Sequence, residues 1–294
     1  MLKRTLEHAT RLWAWGFDGG LFLPLSVATY HQPMTLACND VRFSYPAARG
    51  AAREVLRGVS VSLAPARVTA IIGPNGCGKS TLLKVLLGLL APAAGTVTLG
   101  QRSLDALSQG QRVRNLVYVP QQTSLAFSYS AAEVVAMGRL IEGASASHES
   151  VRRALDRVGM ADRAADPVAH LSAGQRQRVT LARALAQIEL ASEGARAMLC
   201  DEPVSAMDPR HAMEAMEIVR GVAASGVAVG VVLHDLSAAL RFADDAIALG
   251  EDGRVLAAGP VDEVLVPQVL ERLFGIGFEV LSTASGRRAV VASA

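Results

Sequence analysis

The sequence predicts an α/β fold built around a parallel β-sheet, with a smaller antiparallel sheet near the amino end. Three observations support this prediction. A continuous apolar run, VTAII at 68–72, leads through glycines into the helix-like stretch STLLKVLLGLL at 80–90. Apolar runs at 197–200 and 227–233 flank a helical segment, and strands that alternate with helices indicate a parallel sheet. TLACNDVRFSY at 35–45 alternates as a half-buried antiparallel strand does.

The first elements follow in chain order. GVSVSL at 58–63 continues the antiparallel alternation that begins at 35–45. VTAII is continuous and β-branched, which is typical of a strand covered on both faces. After Lys79 the pattern becomes that of an apolar helix, so the glycine loop lies between a strand and a helix.

Residues 122–170 are predicted to be mainly helical. Ser130 and Glu133 have the spacing of a capping box, in which each side chain bonds the other residue's backbone N–H. Val151, Leu155 and Val158 mark one face of a second helix. The tail FEVLSTASGRRAVV at 278–291 predicts a terminal hairpin.

Composition narrows the class of protein. The 294 residues are 51% hydrophobic, but no apolar run reaches the roughly 18 residues that a membrane-spanning helix requires. The net charge is only +2, which gives no global attraction to nucleic acid or anionic lipid. The chain has three cysteines, Cys38, Cys77 and Cys200, which have no spacing typical of a metal site. Because their odd number fits no simple disulfide framework, we expect the protein to reside in a reducing compartment of the cell.

The first 33 residues differ from the rest, since they hold both tryptophans beside GLFLPLSVA. Asp18 and Pro24 interrupt the apolar run and argue against a secretory signal. We interpret 1–33 as an upstream extension, with Met34 as the functional start. The alternative is a membrane-surface or partner-binding helix around Leu12–Trp15.

The stretch GPNGCGKST at 73–81 is suited to holding phosphate. Glycines let successive backbone N–H groups turn inward, and the following helix adds its positive end. Lys79 is expected to bridge the β- and γ-phosphates, and the Ser80 hydroxyl to bind Mg²⁺. The predicted nucleotide-binding residues are Gly73, Pro74, Asn75, Gly76, Cys77, Gly78, Lys79, Ser80 and Thr81. This loop alone leaves kinases, GTPases and many ATPases open.

A second motif, AMLCDEP, delivers Asp201 and Glu202 at the carboxyl end of an apolar strand. Adjacent strand residues point to opposite sides, so the two carboxylates suit different tasks. Asp201 is predicted to hold Mg²⁺, and Glu202 to face the attacking water as a general base. An ordinary acidic turn would explain this stretch equally well if it stood alone.

A third motif, LSAGQRQRV at 171–179, is a serine–glycine turn that leads into a helix. Together with the two preceding motifs it resembles the signature of ATP-binding cassette (ABC) proteins, and the resemblance spans roughly residues 36–260. The family normally has a second glycine where this chain has Ala173, a change that removes some backbone freedom.

The resemblance implies roles for further residues. Tyr45 matches the aromatic residue that stacks on adenine. Gln121 matches the glutamine that reaches Mg²⁺ and the water, with Gln122 as a weaker candidate. The stretch SAMD, which ends in Asp208, matches the loop that passes between subunits. His234 matches the switch histidine that contacts the γ-phosphate.

The resemblance also implies the fold of a P-loop NTPase of the ABC ATPase type. It has a RecA-like parallel-sheet core, an N-terminal antiparallel β subdomain and an inserted α-helical signature subdomain. The ATPase domain is expected at 34–260, with its helical subdomain at about 122–185. A C-terminal helix and hairpin at 261–294 complete it.

The family's geometry implies a head-to-tail pair of copies, in which Ser172, Gly174 and Gln175 of one copy close over the ATP of the other. Mg²⁺ accompanies ATP, and hydrolysis reopens the pair. The implied partners are transmembrane permease subunits and, indirectly, a periplasmic or lipoprotein substrate-binding protein, with no nucleic acid. The implied location is the cytoplasmic face of the inner membrane, as a peripheral subunit. A pair with a related ATPase is the alternative to a pair of identical copies.

SLAFSYSAAEVVAMGR at 124–139, GPVDEVL at 259–265 and the C-terminal hairpin resemble ATPases of importers for iron–siderophore, haem and cobalamin complexes. The extra residues before AMLCDEP favour the haem members. Alternatives are an importer for a metal ion or another small solute, a soluble ABC ATPase in DNA repair or translation, and a regulatory ATP binder without hydrolysis.

Overall fold

The computed structural model describes residues 34–46, 53–121, 129–139, 147–190, 196–282 and 288–293. The predicted extension at 1–33, with its alternative helix around Leu12–Trp15, lies outside these residues. Gln122 and the first part of the 124–139 motif also lie outside them.

The strands and helices follow the predicted order. The strands are β1 (Leu36–Tyr45), β2 (Arg53–Leu63), β3 (Val68–Ile72), β4 (Ala94–Leu99), β5 (Arg102–Ser103), β6 (Leu116–Val119), β7 (Ala197–Asp201), β8 (Ala228–Val232), β9 (Asp245–Leu249), β10 (Val255–Pro260), β11 (Gly277–Ser282) and β12 (Arg288–Ser293). The α-helices are α1 (Lys79–Leu86), α2 (Gln109–Asn115), α3 (Ala131–Met137), α4 (His148–Arg157), α5 (Ala173–Leu190), α6 (Pro209–Ala224), α7 (Leu236–Phe242), α8 (Val261–Val264) and α9 (Pro267–Phe274).

The larger sheet has six strands in the order β10-β9-β3-β8-β7-β6. Adjacent strands of this sheet run parallel to each other, except that β10 pairs antiparallel with β9. Every residue of β3, β7 and β8 is buried, which is why their sequences are apolar apart from Thr69 in β3 and Asp201 at the end of β7. The predicted parallel core is therefore confirmed, and the loops after β3, β6, β7 and β8 meet at one edge of it.

The antiparallel sheet is also confirmed, with the order β2-β1-β4-β5. Leu36 of β1 lies opposite Leu63 of β2, and both side chains are fully buried. This apolar face packs in one core cluster with Leu82 and Leu86 of α1. The phosphate loop is thus held between the two sheets.

The helices α3, α4 and α5 pack on one another through a shared apolar core that includes Val135, Leu155 and Leu185. The predicted capping box is present, because Ser130 accepts from the Glu133 N–H and Glu133 accepts from the Ser130 N–H. These contacts fix the start of α3.

Helix α1 ends earlier than the sequence predicts, at Leu86 instead of near residue 90. Gly88 takes the left-handed φ of 67°, and the N–H of Leu89 bonds the carbonyl of Lys84 at 2.9 Å. The N–H of Gly88 bonds the Val85 carbonyl at 2.9 Å, which completes a Schellman stop. The apolar run hid this glycine signal.

The predicted terminal hairpin is formed by β11 and β12, which pair from Gly277 opposite Ser293 to Ser282 opposite Arg288. It packs on α7, where the Ser237 hydroxyl accepts from the N–H of Val290 at 3.0 Å. Within the described ranges, no helix has both the length and the apolar character needed to cross a membrane.

Candidate functional site

The loop between β3 and α1 approaches its neighbours so closely that two of its glycines are required. A Cβ on Gly73 would lie 2.2 Å from the carbonyl oxygen of Leu249. Gly78 has a φ of 110°, and a Cβ there would lie 2.9 Å from the side chain of Val55. Larger residues at these positions would displace the loop from the end of the sheet.

Lys79 is held by the loop itself. Its side chain is buried, and Nζ donates to the carbonyl oxygens of Gly73 and Pro74, each at 2.8 Å. The ammonium therefore occupies a fixed place beside backbone N–H groups at the start of a helix, an arrangement suited to anions.

A cleft of about 250 Å³ opens over this loop. Its lining joins the loop to one carboxylate and one aromatic ring from other elements. The lining residues are Tyr45, Arg53, Val55, Asn75, Gly76, Gly78, Lys79, Ser80, Thr81 and Glu202. The cleft thus joins Tyr45 and six residues of the phosphate loop to Glu202, the residue predicted to activate water, whereas Gly73, Pro74 and Cys77 do not line it.

Asp201 ends β7 and is buried against the first turn of α1. Its Oδ1 accepts from the Ser80 hydroxyl at 3.0 Å, and its Oδ2 accepts from the Tyr118 hydroxyl at 3.5 Å. Burial raises the pKa of Asp201, and burial together with the charge of Asp201 raises the pKa of Tyr118 to about 12.

Ser80 and Asp201 together fit Mg²⁺. Both are hard oxygen donors, and a cation would relieve the cost of burying the Asp201 carboxylate. Across the described residues, no three His, Cys, Asp or Glu side chains cluster as a metal site. Magnesium suits such a place, because it commonly takes one or two protein ligands and completes its shell with phosphate and water.

Glu202 follows Asp201 but faces other partners. Its backbone has a φ of 48°, and this left-handed turn separates the two carboxylates. One oxygen, Oε2, accepts from Gln121 Nε2 at 2.6 Å, and the other, Oε1, lies 2.6 Å from His234 Nε2. Three elements of the parallel sheet therefore bring an acid, an amide and an imidazole to one point.

His234 is fixed by the helix that follows it. Asp235 caps α7, accepting from the N–H groups of Ser237 at 2.8 Å and Ala238 at 3.0 Å. The adjacent imidazole is 43% exposed and contacts Glu202, which lines the cleft.

Tyr45 lies at the end of β1, on the rim of the cleft. Its ring stands edge-on to Phe43 with centroids 4.9 Å apart, and its hydroxyl lies 3.3 Å from the Thr81 hydroxyl. The residue remains 39% exposed, which leaves part of its side chain free for stacking.

The signature residues lie elsewhere. Ser172 caps α5 by accepting from the Gln175 N–H at 3.2 Å, while Gln175 Oε1 accepts from the Ser172 N–H at 2.8 Å. Gly174 is the close neighbour of another loop, since a Cβ there would lie 2.8 Å from the carbonyl oxygen of Ala206. Neither these residues nor Asp208 line the cleft of their own chain.

Asp208 caps α6 by accepting from the N–H groups of Arg210 and His211, both at 3.1 Å. A hydrogen bond from the His211 ring lowers the pKa of Asp208. Asp208 is therefore ionised and held at the start of α6.

Sequence reasoning missed three residues at the site. Arg53 lines the cleft, Tyr118 bonds Asp201, and Gln177 bonds the loop after Glu202. The second glutamine of LSAGQRQ was the visible signal for Gln177, whereas Tyr118 and Arg53 gave no signal because their contacts depend on strand neighbours distant in sequence.

The ABC transporter family model matches residues 56–205. Hemin import ATP-binding protein HmuV of Agrobacterium fabrum is 41% identical over 227 residues, covering 76% of this chain and 87% of that protein. HmuV of Pseudomonas putida is 44% identical over 230 residues, covering 76% and 88%.

Two solved structures show the same fold. One is described as an inward-facing conformation of a metal-chelate type ABC transporter and has a TM-score of 0.73 at 24% identity, covering 89% of this chain and 98% of that one. The other is a dimeric ATP-binding cassette in a post-hydrolysis state with ADP and Pi, with a TM-score of 0.67 at 27% identity, covering 77% and 98%.

Proposed function

Because this chain belongs to the ABC transporter family and is an ATP-binding ATPase, we propose that it energises a bacterial importer for haem or a related metal chelate. This role has a hydrolytic part, an ATP site shared by two copies, and a transport part.

The observation that carries the hydrolytic part is the position of Glu202 between Gln121 and His234, each 2.6 Å away, at the wall of the phosphate cleft. We assign Glu202 as the general base that accepts a proton from the attacking water. Gln121 orients that water, and His234 contacts the γ-phosphate. Lys79 and the loop N–H groups bind the β- and γ-phosphates, and Tyr45 stacks on the adenine.

Ser80 and Asp201 would hold Mg²⁺, with Gln121 as a further ligand. When bound, the ion would neutralise charge on the phosphate oxygens. The close contact of the Ser80 hydroxyl with Asp201, at 3.0 Å, places two of these oxygen donors side by side.

We further propose that the ATP site is completed by a second copy placed head to tail. Ser172 and Ala173 are exposed at the amino end of α5, yet they are absent from the cleft of their own chain. A helix amino end attracts anions, so this surface suits the γ-phosphate of an ATP held by the other copy. The ATPase domain would comprise 34–260, with 261–294 completing it.

The transport part is supported by relatives named for hemin import at 41% and 44% identity. It implies permease subunits as direct partners, a substrate-binding protein as an indirect one, and a peripheral position on the cytoplasmic face of the inner membrane. The ATPase would supply the energy without contacting the cargo.

A growth experiment tests the transport part. Deletion of the gene is expected to abolish growth on haem as the only iron source. Wild-type protein is expected to restore that growth, while Glu202→Gln at equal abundance should not. Unchanged growth of the deletion strain on haem, with loss of growth on another solute, would assign a different cargo.

A further inference from the structure

Gln177 lies in the second turn of α5 and is buried, with 8% of its surface exposed. Its amide bonds the loop after β7 at three points. Nε2 donates to the carbonyl oxygen of Glu202 at 3.2 Å and to the Ser205 hydroxyl at 3.1 Å, while Oε1 accepts from the N–H of Ala206 at 3.0 Å. Both ends of the amide are used, so its orientation is fixed.

The backbone of Glu202 needs such support. A φ of 48° is uncommon for a residue with a long side chain, and Pro203 further restricts the residue before it. The Glu202 carbonyl also accepts from the N–H and the hydroxyl of Ser205, at 3.3 and 3.2 Å. Those donors belong to the same loop, whereas Gln177 comes from a separate element, the helix α5, which packs in one core cluster with Met198 and Cys200 of β7.

We propose that Gln177 is a positioning residue for ATP hydrolysis. It holds the Glu202 peptide in its left-handed turn and so keeps the carboxylate between Gln121 and His234. The inference rests on the proposed role of Glu202 as general base. Gln177 acts through Glu202, because its amide nitrogen and oxygen are both used in bonds to the Glu202 carbonyl, the Ser205 hydroxyl and the Ala206 N–H.

The chain offers a matched control on the same helix. Gln187 is partly buried, and its Nε2 donates to the carbonyl oxygens of Val113 at 2.8 Å and Leu116 at 3.4 Å. Methionine at either position preserves length while removing the amide. Gln187→Met therefore measures how much kcat and stability change when α5 loses side-chain hydrogen bonds to a backbone segment away from Glu202.

The experiment measures steady-state ATP hydrolysis and equilibrium ATP binding by the purified full chain. Gln177→Met is expected to lower kcat by ten- to a hundredfold, because a displaced catalytic group costs that much, with KM and ATP affinity within about threefold of wild type. Gln187→Met is expected to keep kcat within about twofold, even if it lowers the urea midpoint equally.

A double variant separates the two proposals. If Gln177 acts only through Glu202, then Gln177→Met combined with Glu202→Gln should be no slower than Glu202→Gln alone. Multiplicative losses, or equal kcat for the Gln177 and Gln187 variants, would overturn the positioning role and leave the general base intact. Wild-type turnover by Glu202→Gln alone would instead remove the general base, and this inference with it.

Discussion

Replacing Glu202 with glutamine tests the hydrolytic assignment with little change of shape. Glutamine keeps the length of the side chain but exchanges one carboxylate oxygen for an NH₂ group. In the wild type both oxygens are engaged, one by Gln121 Nε2 and one by His234 Nε2, each at 2.6 Å. After the exchange, the new NH₂ group would face a nitrogen atom of Gln121 or of His234. Rotation of the Gln121 amide would present its oxygen to the NH₂ group and restore the contact with Gln121.

The structure sets the expected magnitudes. If Gln121 does not rotate, loss of one hydrogen bond lowers the free energy of unfolding by about 1 kcal/mol. Loss of a general base slows the chemical step by roughly 10²- to 10⁴-fold, which corresponds to about 3–5 kcal/mol in the activation free energy. The Lys79 contacts and the phosphate loop are unchanged, so ATP affinity should stay within about threefold of wild type.

The assay is phosphate release from Mg-ATP by the purified full chain, beside equilibrium binding of ATP. Glu214→Gln is the matched control, because the same chemical change then falls on an exposed ion pair with Arg210 on α6. We expect the control to turn over as wild type does. Full turnover by Glu202→Gln would refute the general-base assignment, and loss of ATP binding would show that the carboxylate holds the cleft together.

Two further predictions follow from close packing at the site. Gly174→Ala should lower kcat about tenfold, because its Cβ would lie 2.8 Å from the Ala206 carbonyl in the loop that carries Glu202. Gly221→Ala on α6 is the control, since no neighbour lies within 4 Å there, and it should keep kcat and raise the urea midpoint. Equal kcat in the two variants would contradict this prediction. Burial raises the pKa of the Cys77 thiol, and the charge of Lys79 partly offsets this effect. At pH 7, N-ethylmaleimide should therefore react with Cys77 more slowly in the folded chain than in urea. The reaction with the folded chain should become faster as the pH rises toward the raised pKa of the thiol. ATP should slow the reaction further, as followed by mass spectrometry of the Cys77 peptide, and normal ATP binding by fully alkylated chain would show that the loop is packed less tightly than described.

Much of the fold was predictable because local patterns and buried surfaces agreed. Mostly apolar runs became the central strands β3, β7 and β8, since both faces of each are covered. The phosphate loop, Asp201 and Glu202 fell at the carboxyl ends of strands, where a parallel sheet gathers its functional residues. The helix α1 was over-extended because Gly88 lies within an apolar run that looks helical.

The site was less predictable wherever its geometry depends on distant residues. Glu202 has a left-handed backbone conformation, and its carbonyl accepts a hydrogen bond from Gln177, which lies 25 positions away in the chain. No local sequence pattern specifies that contact. The Ala173 substitution was expected to cost backbone freedom. Among the described residues, however, only Asp40, Ala66 and Glu202 are non-glycine residues with positive φ, and Ala173 simply begins α5. Alanine is suited to that helical position.

The exposed position of Ala173 permits a direct test of the shared ATP site. Aspartate at the first residue of α5 should favour the helix, because a negative charge there complements the helix dipole. In a head-to-tail pair the same charge would meet the phosphates held by the other copy. Ala173→Asp alone should therefore fold normally, bind ATP and fail to hydrolyse it.

Mixing Ala173→Asp with Glu202→Gln in equal amounts is the decisive measurement. Each mixed pair contains one site with an intact Glu202 from one copy and an intact signature from the other. Random pairing should restore about a quarter of wild-type turnover, since half of the pairs are mixed and each has one of two sites intact. Turnover no greater than the sum of the two variants measured separately would contradict a site built from two copies.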